Sequence, residues 1–218
     1  LFFEPTLTKV GENQMLSMKL KSGSNEFLEY KYVLKPNDYM LDFDVRSQGL
    51  NKALNTSKPA NLNWDFKAYR NEKSISYENR HTESVFEYED GKDDYTGPGT
   101  HKEENPEKVT YVAYKQQLFT TVLLTKTPLE KASINSFDLV KDDKKDTIYT
   151  KQFKTVAPLA FTNGELDYKM NWYFGPADYK LLSSYDRNLD EIISLGWGIF
   201  GWINKLIFVP LFGFLSSF

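Results

Sequence analysis

The sequence predicts a mainly β fold, a large antiparallel sandwich carrying short helices at its C-terminal end. Three observations predict it. Apolar and polar residues alternate with period two in segment after segment between Met15 and Phe174, as strands with one buried face do. Aromatics make up 16% of the chain, with 16 Phe and 14 Tyr, and such side chains favour pleated, half-buried surfaces. Helical signals gather after Gly175-Pro176, so strands and helices are segregated along the chain.

The elements follow in order. Leu16, Met18 and Leu20 alternate with Ser17 and Lys19; Leu28, Tyr30, Tyr32 and Leu34 alternate with Glu29, Lys31 and Val33. After the turn residues Pro36-Asn37-Asp38 come Tyr39, Leu41, Phe43 and Val45, so the last two of these three strands form a hairpin. Gln48 to Asn61 is a polar connection, and Leu62 to Tyr69 resumes as a strand through Trp64, Phe66 and Ala68. Asn71 to His81 fits neither pattern, whereas Val85 to Tyr88 is strand-like.

Glu89 to Lys108 is the most polar stretch and is expected to be a surface loop. It lacks calcium-loop spacing, because Lys92 stands at the third position from Asp90 and no Gly at the sixth. Val109 to Leu124 is the strongest core signal, broken by Lys115-Gln116-Gln117 as a turn or bulge. Two more strands are expected around Ala132–Leu139 and Thr147–Phe153, joined by the charged turn Lys141 to Asp146. In the last strand Leu166, Tyr168, Met170, Trp172 and Phe174 share one face and Asp167, Lys169 and Asn171 the other. Pro176 suits the first position of a helix running to about Leu182. A second helix is expected from an N-cap at Asn188 to Leu195, with Asp190 and Glu191 in its first turn and Gly196 closing it.

Charge divides the chain. All 30 acidic residues and all but one of the 27 basic ones precede Gly196. Residues 196–218, GWGIFGWINKLIFVPLFGFLSSF, carry Lys205 alone. As a spanning helix this tail would reach about 34 Å at ~1.5 Å per residue. However, a charge near its middle costs roughly 2.5–3.5 kcal/mol there, and the uninterrupted apolar run Leu206–Leu215 is short. As a core helix it would need protein on every side. It fits best as an amphipathic helix in a lipid interface, with Trp197 and Trp202 at the headgroup boundary and Lys205 snorkelling. In a 100° projection Ser194, Gly198, Gly201, Lys205 and Ser216 form a polar stripe that Val209 and Phe212 interrupt, and Pro210 should kink or break the helix. The interface residues on this reading are Trp197, Ile199, Phe200, Trp202, Ile203 and Lys205. Leu206, Ile207, Phe208, Leu211 and Phe214 continue the set.

Catalytic chemistry has little to work with. The chain has no cysteine and two histidines, His81 and His101, in polar segments without metal-ligand spacing. No nucleophile elbow or phosphate-binding glycine loop is present. Asp42 and Asp44 lie one strand-step apart on an expected solvent face, where acid–base work lacks the burial it needs. A net charge of −3 without a basic stripe argues against nucleic acid as a partner. The sequence opens on Leu, which suggests a segment of a longer protein.

Three passages carry a family resemblance. Tyr111-Val112-Ala113-Tyr114-Lys115-Gln116-Gln117-Leu118-Phe119 is similar to the strand W-V-A-F-K-Q-Q-F-F. Tyr173-Phe174-Gly175-Pro176 with Tyr179 and Leu182 is similar to the junction Y-x-G-P-K-x-Y-x-x-L. Gly196-Trp197-Gly198 with Lys205, Pro210 and Leu211 is similar to a segment preceding membrane helices. Together they resemble the YidC membrane-protein insertase family, specifically the large periplasmic domain of its Bacteroidetes-like branch. The resemblance implies a β-supersandwich of galactose-mutarotase type over residues 1–174, a helical foot over 175–195 and a membrane-interface segment over 196–218. It implies a non-catalytic domain without cofactor or metal on the periplasmic face of the inner membrane. Implied partners are the bilayer surface, the insertase's own membrane helices, Sec translocon components and nascent membrane proteins. The motif residues Tyr111, Lys115, Gln116, Gln117, Phe119, Phe174, Gly175, Pro176 and Tyr179 are expected to serve the fold rather than a partner. The competing reading is a carbohydrate-binding or aldose-epimerase-like protein, whose cleft would need converging histidine and carboxylates.

Overall fold

The computed structural model describes residues 2–89, 91–146, 148–196 and 199–215, with only the backbone of Lys52, Ile199 and Phe200. The chain divides into two compact units, Leu1–Pro176 and Ala177–Phe218.

The first unit is a sandwich of two antiparallel sheets. Its strands are β1 (Glu4–Val10), β2 (Asn13–Lys21), β3 (Phe27–Leu34), β4 (Met40–Gln48), β5 (Ala60–Tyr69), β6 (Glu83–Tyr88) and β7 (Lys92–Tyr95). They continue with β8 (His101–Glu104), β9 (Glu107–Lys115), β10 (Phe119–Lys131), β11 (Ser133–Asp138), β12 (Tyr149–Leu159) and β13 (Asp167–Pro176). One sheet has the order β1-β2-β3-β4-β13-β10-β9-β6-β7 and the other β5-β12-β11-β8. The expected hairpins form where the turn residues stand: β3 pairs with β4 across Pro36-Asn37-Asp38, and β9 with β10 across Gln116-Gln117-Leu118. Asn71 to His81, which fitted neither pattern, contains helix α1 (Ile75–His81), whose N-cap Ser74 accepts a hydrogen bond from Tyr77 N.

Between the sheets the core is aromatic. Tyr114 of β9 stacks on Trp64 of β5 at 3.7 Å between ring centroids and on Phe153 of β12 at 4.8 Å. Trp172 of β13 meets Trp64 edge-on at 4.7 Å. The Tyr114 hydroxyl donates to Thr155 Oγ1 at 2.6 Å, so the buried phenol is not left without a partner. Burial pushes its pKa well above the usual tyrosine value.

Three expectations fail here, and one strand, β1, was not anticipated. Residues 89–108 are not one loop: they hold β7 and β8, which are edge strands of the larger and the smaller sheet. Their polarity suits an edge, where charged side chains discourage pairing with another chain. The strand β1 has every residue exposed, so it offers no apolar face by which alternation could reveal it. β13 buries both faces, since Asn171 and Tyr173 are buried opposite Met170, whereas Phe174 is exposed. Pro176 ends β13 rather than starting a helix, pairing in register with Phe119.

Candidate membrane-interface site

The second unit is built around short helices. Asp178 caps helix α2 (Tyr179–Ser183), its carboxylate accepting from Leu181 N at 2.8 Å. This cap, two residues past Pro176, sets the true helix start. A single 3₁₀ turn, Leu189–Ile192, replaces the expected Asn188–Leu195 helix. Asn188 sits in the left-handed region at φ 55° and makes no side-chain cap bond, so the chain enters the turn from a bend. Leu182, Leu189 and Ile192 are fully buried.

The tail is helical from Ile199 to Leu215. Helix α3 (Ile199–Ile203) runs into a π turn, Asn204–Phe208, and then into α4 (Val209–Leu215). Pro210 therefore does not break it. A proline has no N–H and clashes with the carbonyl four residues earlier. Widening the preceding turn relieves both problems, and Val209 N bonds Asn204 O across five residues.

The helix turns its polar and small residues towards its own unit. Lys205 Nζ lies 3.7 Å from Asp190 and 3.7 Å from Glu191, and over the Tyr179 ring at 5.9 Å. A hydrogen bond with Tyr179, followed by the Glu191 and Asp190 charges, holds its pKa above the usual lysine value. Asn204 donates to the Leu195 carbonyl. Gly201 packs so closely that a Cβ would stand 2.6 Å from Gly196 O. A Cβ at Gly213 would collide with the Lys180 ammonium.

The apolar residues face outward. Trp202, Leu206, Ile207, Phe208, Leu211 and Phe214 are exposed, and Ile203 is half-buried. Trp197 and the side chains of Ile199 and Phe200, from the same set, lie outside the described residues, as do Gly198 and Ser216 of the polar stripe. Phe212, 65% exposed, belongs to the apolar face although the 100° projection put it in the polar stripe. The π turn is the cause: it inserts one residue into the helical register, so everything after Phe208 rotates and Gly213 takes the inward position. No described helix is long and apolar enough to cross a membrane.

The motif residues of the sandwich have mainly structural surroundings. Tyr111 is buried, Lys115 pairs with Glu83 across β9 and β6, and Gln116 Nε2 donates to Tyr69 O at 2.6 Å. Gln117 Oε1 is buried without a hydrogen-bond partner among the described residues. The β10–β13 register brings two of the motifs together, setting Phe119 beside Pro176 and Thr121 beside Phe174. Phe119, Phe174 and Tyr39 are all exposed there around a shallow depression of about 390 Å³. Gly175 is required at this point, since a Cβ would meet the Tyr173 hydroxyl at 2.6 Å. Tyr179, the last motif residue, belongs to the helical unit and lies under Lys205.

Among the described residues the histidines and Asp42 have local, structural partners. His101 stacks on Phe137 and its Nε2 lies 2.9 Å from Asn135 Oδ1, while His81 packs on Tyr77. Among the described residues no three of His, Asp or Glu cluster as metal ligands would. Asp42 is half-buried, accepting from Asn171 Nδ2 at 2.8 Å and pairing with Lys35 at 3.5 Å. An open groove of about 350 Å³ runs between the sheets past Tyr30, Tyr32, Trp64 and Trp172, and neither histidine lines it.

Comparison with known proteins places these features in a family. A family model described as the YidC periplasmic domain matches residues 4–210. The membrane protein insertase YidC of Parabacteroides distasonis is 30% identical over all of this chain and 35% of its own length. Its counterpart in Bacteroides fragilis is 28% identical, over 93% of this chain and 34% of that protein. The Porphyromonas gingivalis protein is 26% identical, over 100% of this chain and 36% of its own length. The chain thus spans about a third of the relatives it matches. Among solved structures, a heparan sulfate lyase from Pedobacter heparinus overlaps at a TM-score of 0.38 with 10% identity, over 80% of this chain and 22% of the lyase.

Proposed function

This chain belongs to the YidC family as its periplasmic domain, and from that premise we propose that it is a non-catalytic module held on the bilayer surface by its C-terminal helix. Membership places it in an inner-membrane insertase family, which is not an enzyme family. Our reading divides the chain into a sandwich over 1–174, a foot over 175–195 and an interface segment over 196–218. The sandwich stands at the membrane, where nascent membrane proteins and Sec components are the partners it would meet, and the membrane helices of the parent do the inserting.

The observation that carries this reading is the inverted helix. Lys205, Asn204, Gly201 and Gly213 face the unit's own polar groups, while Trp202, Leu206, Leu211 and Phe212 face out. In water that arrangement exposes apolar surface for no gain, whereas at a lipid boundary it buries it. The carbohydrate alternative gains no support, because its cleft would need a histidine and neither one reaches the groove. The test is co-sedimentation of the chain with phosphatidylcholine vesicles. The full chain should pellet with them, and the chain ending at Gly196 should stay in the supernatant. Equal behaviour of the two would refute the proposal.

A further inference from the structure

The helical unit carries an open hollow of about 510 Å³ whose lining includes Asp178, Lys180, Phe208, Val209, Phe212 and Gly213. We propose that this hollow binds the phosphate-bearing headgroup of an anionic phospholipid, with Lys180 as the phosphate contact and an acyl chain along Phe208, Val209 and Phe212. The inference rests on the interfacial reading above and adds to it the class of lipid.

Charge is the first ground. The two lysines of this unit differ: Lys205 is met by Asp190 and Glu191, whereas the Lys180 ammonium makes no hydrogen bond or ion pair among the described residues. Asp178 forms no ion pair with it among the described residues, its carboxylate accepting instead from Leu181 N. Gly213 is the second ground. Its missing side chain is what lets the ammonium of Lys180, an exposed residue, lie against the helix beside the apolar lining of the hollow. Third, that lining is continuous with the outward apolar face, since Phe208 and Phe212 belong to both. A cation beside an apolar trough matches a phosphodiester joined to a hydrocarbon chain whose headgroup brings no cation of its own, since the choline ammonium of phosphatidylcholine already offsets its phosphate. A free phosphate would use the lysine and leave the trough idle.

The whole-chain charge makes the test sharp. At a net −3, simple electrostatics predicts that anionic lipid weakens binding. Vesicle titrations compare phosphatidylcholine alone with phosphatidylcholine containing phosphatidylglycerol. The full chain should bind the anionic vesicles more tightly, and K180Q should lose about fivefold on them, the change that ~1 kcal/mol per lysine at an anionic surface implies. K180Q should bind pure phosphatidylcholine as the unaltered chain does. K144Q, which removes a lysine from the sandwich, should leave both affinities unchanged. Inorganic phosphate at the ionic strength of a chloride control should not displace the anionic vesicles; displacement would assign the site to a soluble anion. Equal affinity for the two vesicle types, or equal losses in K180Q and K144Q, would overturn this inference and leave the interfacial reading standing. Failure to bind either vesicle would overturn both.

Discussion

Replacing Phe212 by serine gives the interfacial reading its most quantitative test. Phe212 is 65% exposed, so of the roughly 200 Å² an aromatic side chain offers, about 130 Å² is free to enter lipid. At about 25 cal/mol per Å² that area is worth at most ~3 kcal/mol. A helix lying in the interface sinks only its apolar side into the acyl boundary, so about half is realised, or ~1.5 kcal/mol. F212S should therefore weaken binding to phosphatidylcholine vesicles roughly tenfold. Trp202 is 63% exposed, and its larger ring makes the loss in W202S roughly thirtyfold by the same reckoning. The control is Tyr77, 45% exposed on α1 of the sandwich. Y77S removes an exposed aromatic of similar size and should leave vesicle affinity unchanged. Vesicle titration followed by tryptophan fluorescence reads F212S and Y77S, and co-sedimentation reads W202S. Unaltered affinity in F212S and W202S, or an equal loss in Y77S, would refute a lipid role for the outward face.

Two further outcomes concern the sandwich. Lys151 of β12 is buried at 5% exposure and its ammonium makes no hydrogen bond or ion pair among the described residues; burial lowers its pKa, against the pull of Asp138 and Glu83. K151M keeps the stem and removes the desolvated amine, so it should raise the urea midpoint by the equivalent of about 1–3 kcal/mol, and a fall would show that the amine supports the fold. Glu29 of β3 is also buried. Burial pushes its pKa up, but the hydrogen bond from Ser17 and the hydrogen bond and charge of Arg46 outweigh it, with Lys19 adding to the pull, and the net shift is downward. A carboxylate with a depressed folded pKa contributes stability that is complete above its unfolded value, near ~4.3, and is lost as pH falls through the folded value. Thermal unfolding followed from pH 7 into the acid range should show E29Q less stable than the unaltered chain at neutral pH, with the gap closing below about pH 4. A gap independent of pH would show that the carboxylate charge contributes nothing.

How much of this was legible depends on where each residue's partners come from. Strands with one dry face announced themselves: Leu62, Trp64, Phe66 and Ala68 alternate in sequence and all turn to the core in the fold. β7 and β8 did not, because an edge strand of Lys, Asp and Glu owes its structure to a neighbour's backbone and not to an apolar face. β13 showed one face in the alternation from Leu166 to Trp172, but not the second, since burial of Tyr173 depends on chain remote from it. The first residue of α2 is Tyr179, three past the expected Pro176, because Pro176 suits a first helical position and Asp178 an N-cap. Only the pairing of Phe119 with Pro176 commits the proline to the sheet. The convergence of two sequence motifs at Phe119, Phe174 and Gly175 was likewise invisible, being a consequence of register between strands far apart in sequence.

The tail shows the same dependence in its sharpest form. Its composition suggests a membrane-directed segment, yet composition does not say which side of the helix turns outward. That side is fixed by Lys205. Left alone, the ammonium would have to snorkel to the headgroups, and the apolar face would be whatever lay opposite. With Asp190 and Glu191 presented by the 3₁₀ turn, the charge has partners on the protein, so the lysine side becomes the inner side. Pro210 then matters for a reason other than kinking. The π turn it accompanies moves Phe212 out of the lysine stripe and brings Gly213 in, which widens the apolar face by a full aromatic ring and seats Lys180 against the helix. One acidic pair in a short turn and one proline in the tail thus orient the helix, and neither signal lies in the apolar residues that would touch the bilayer.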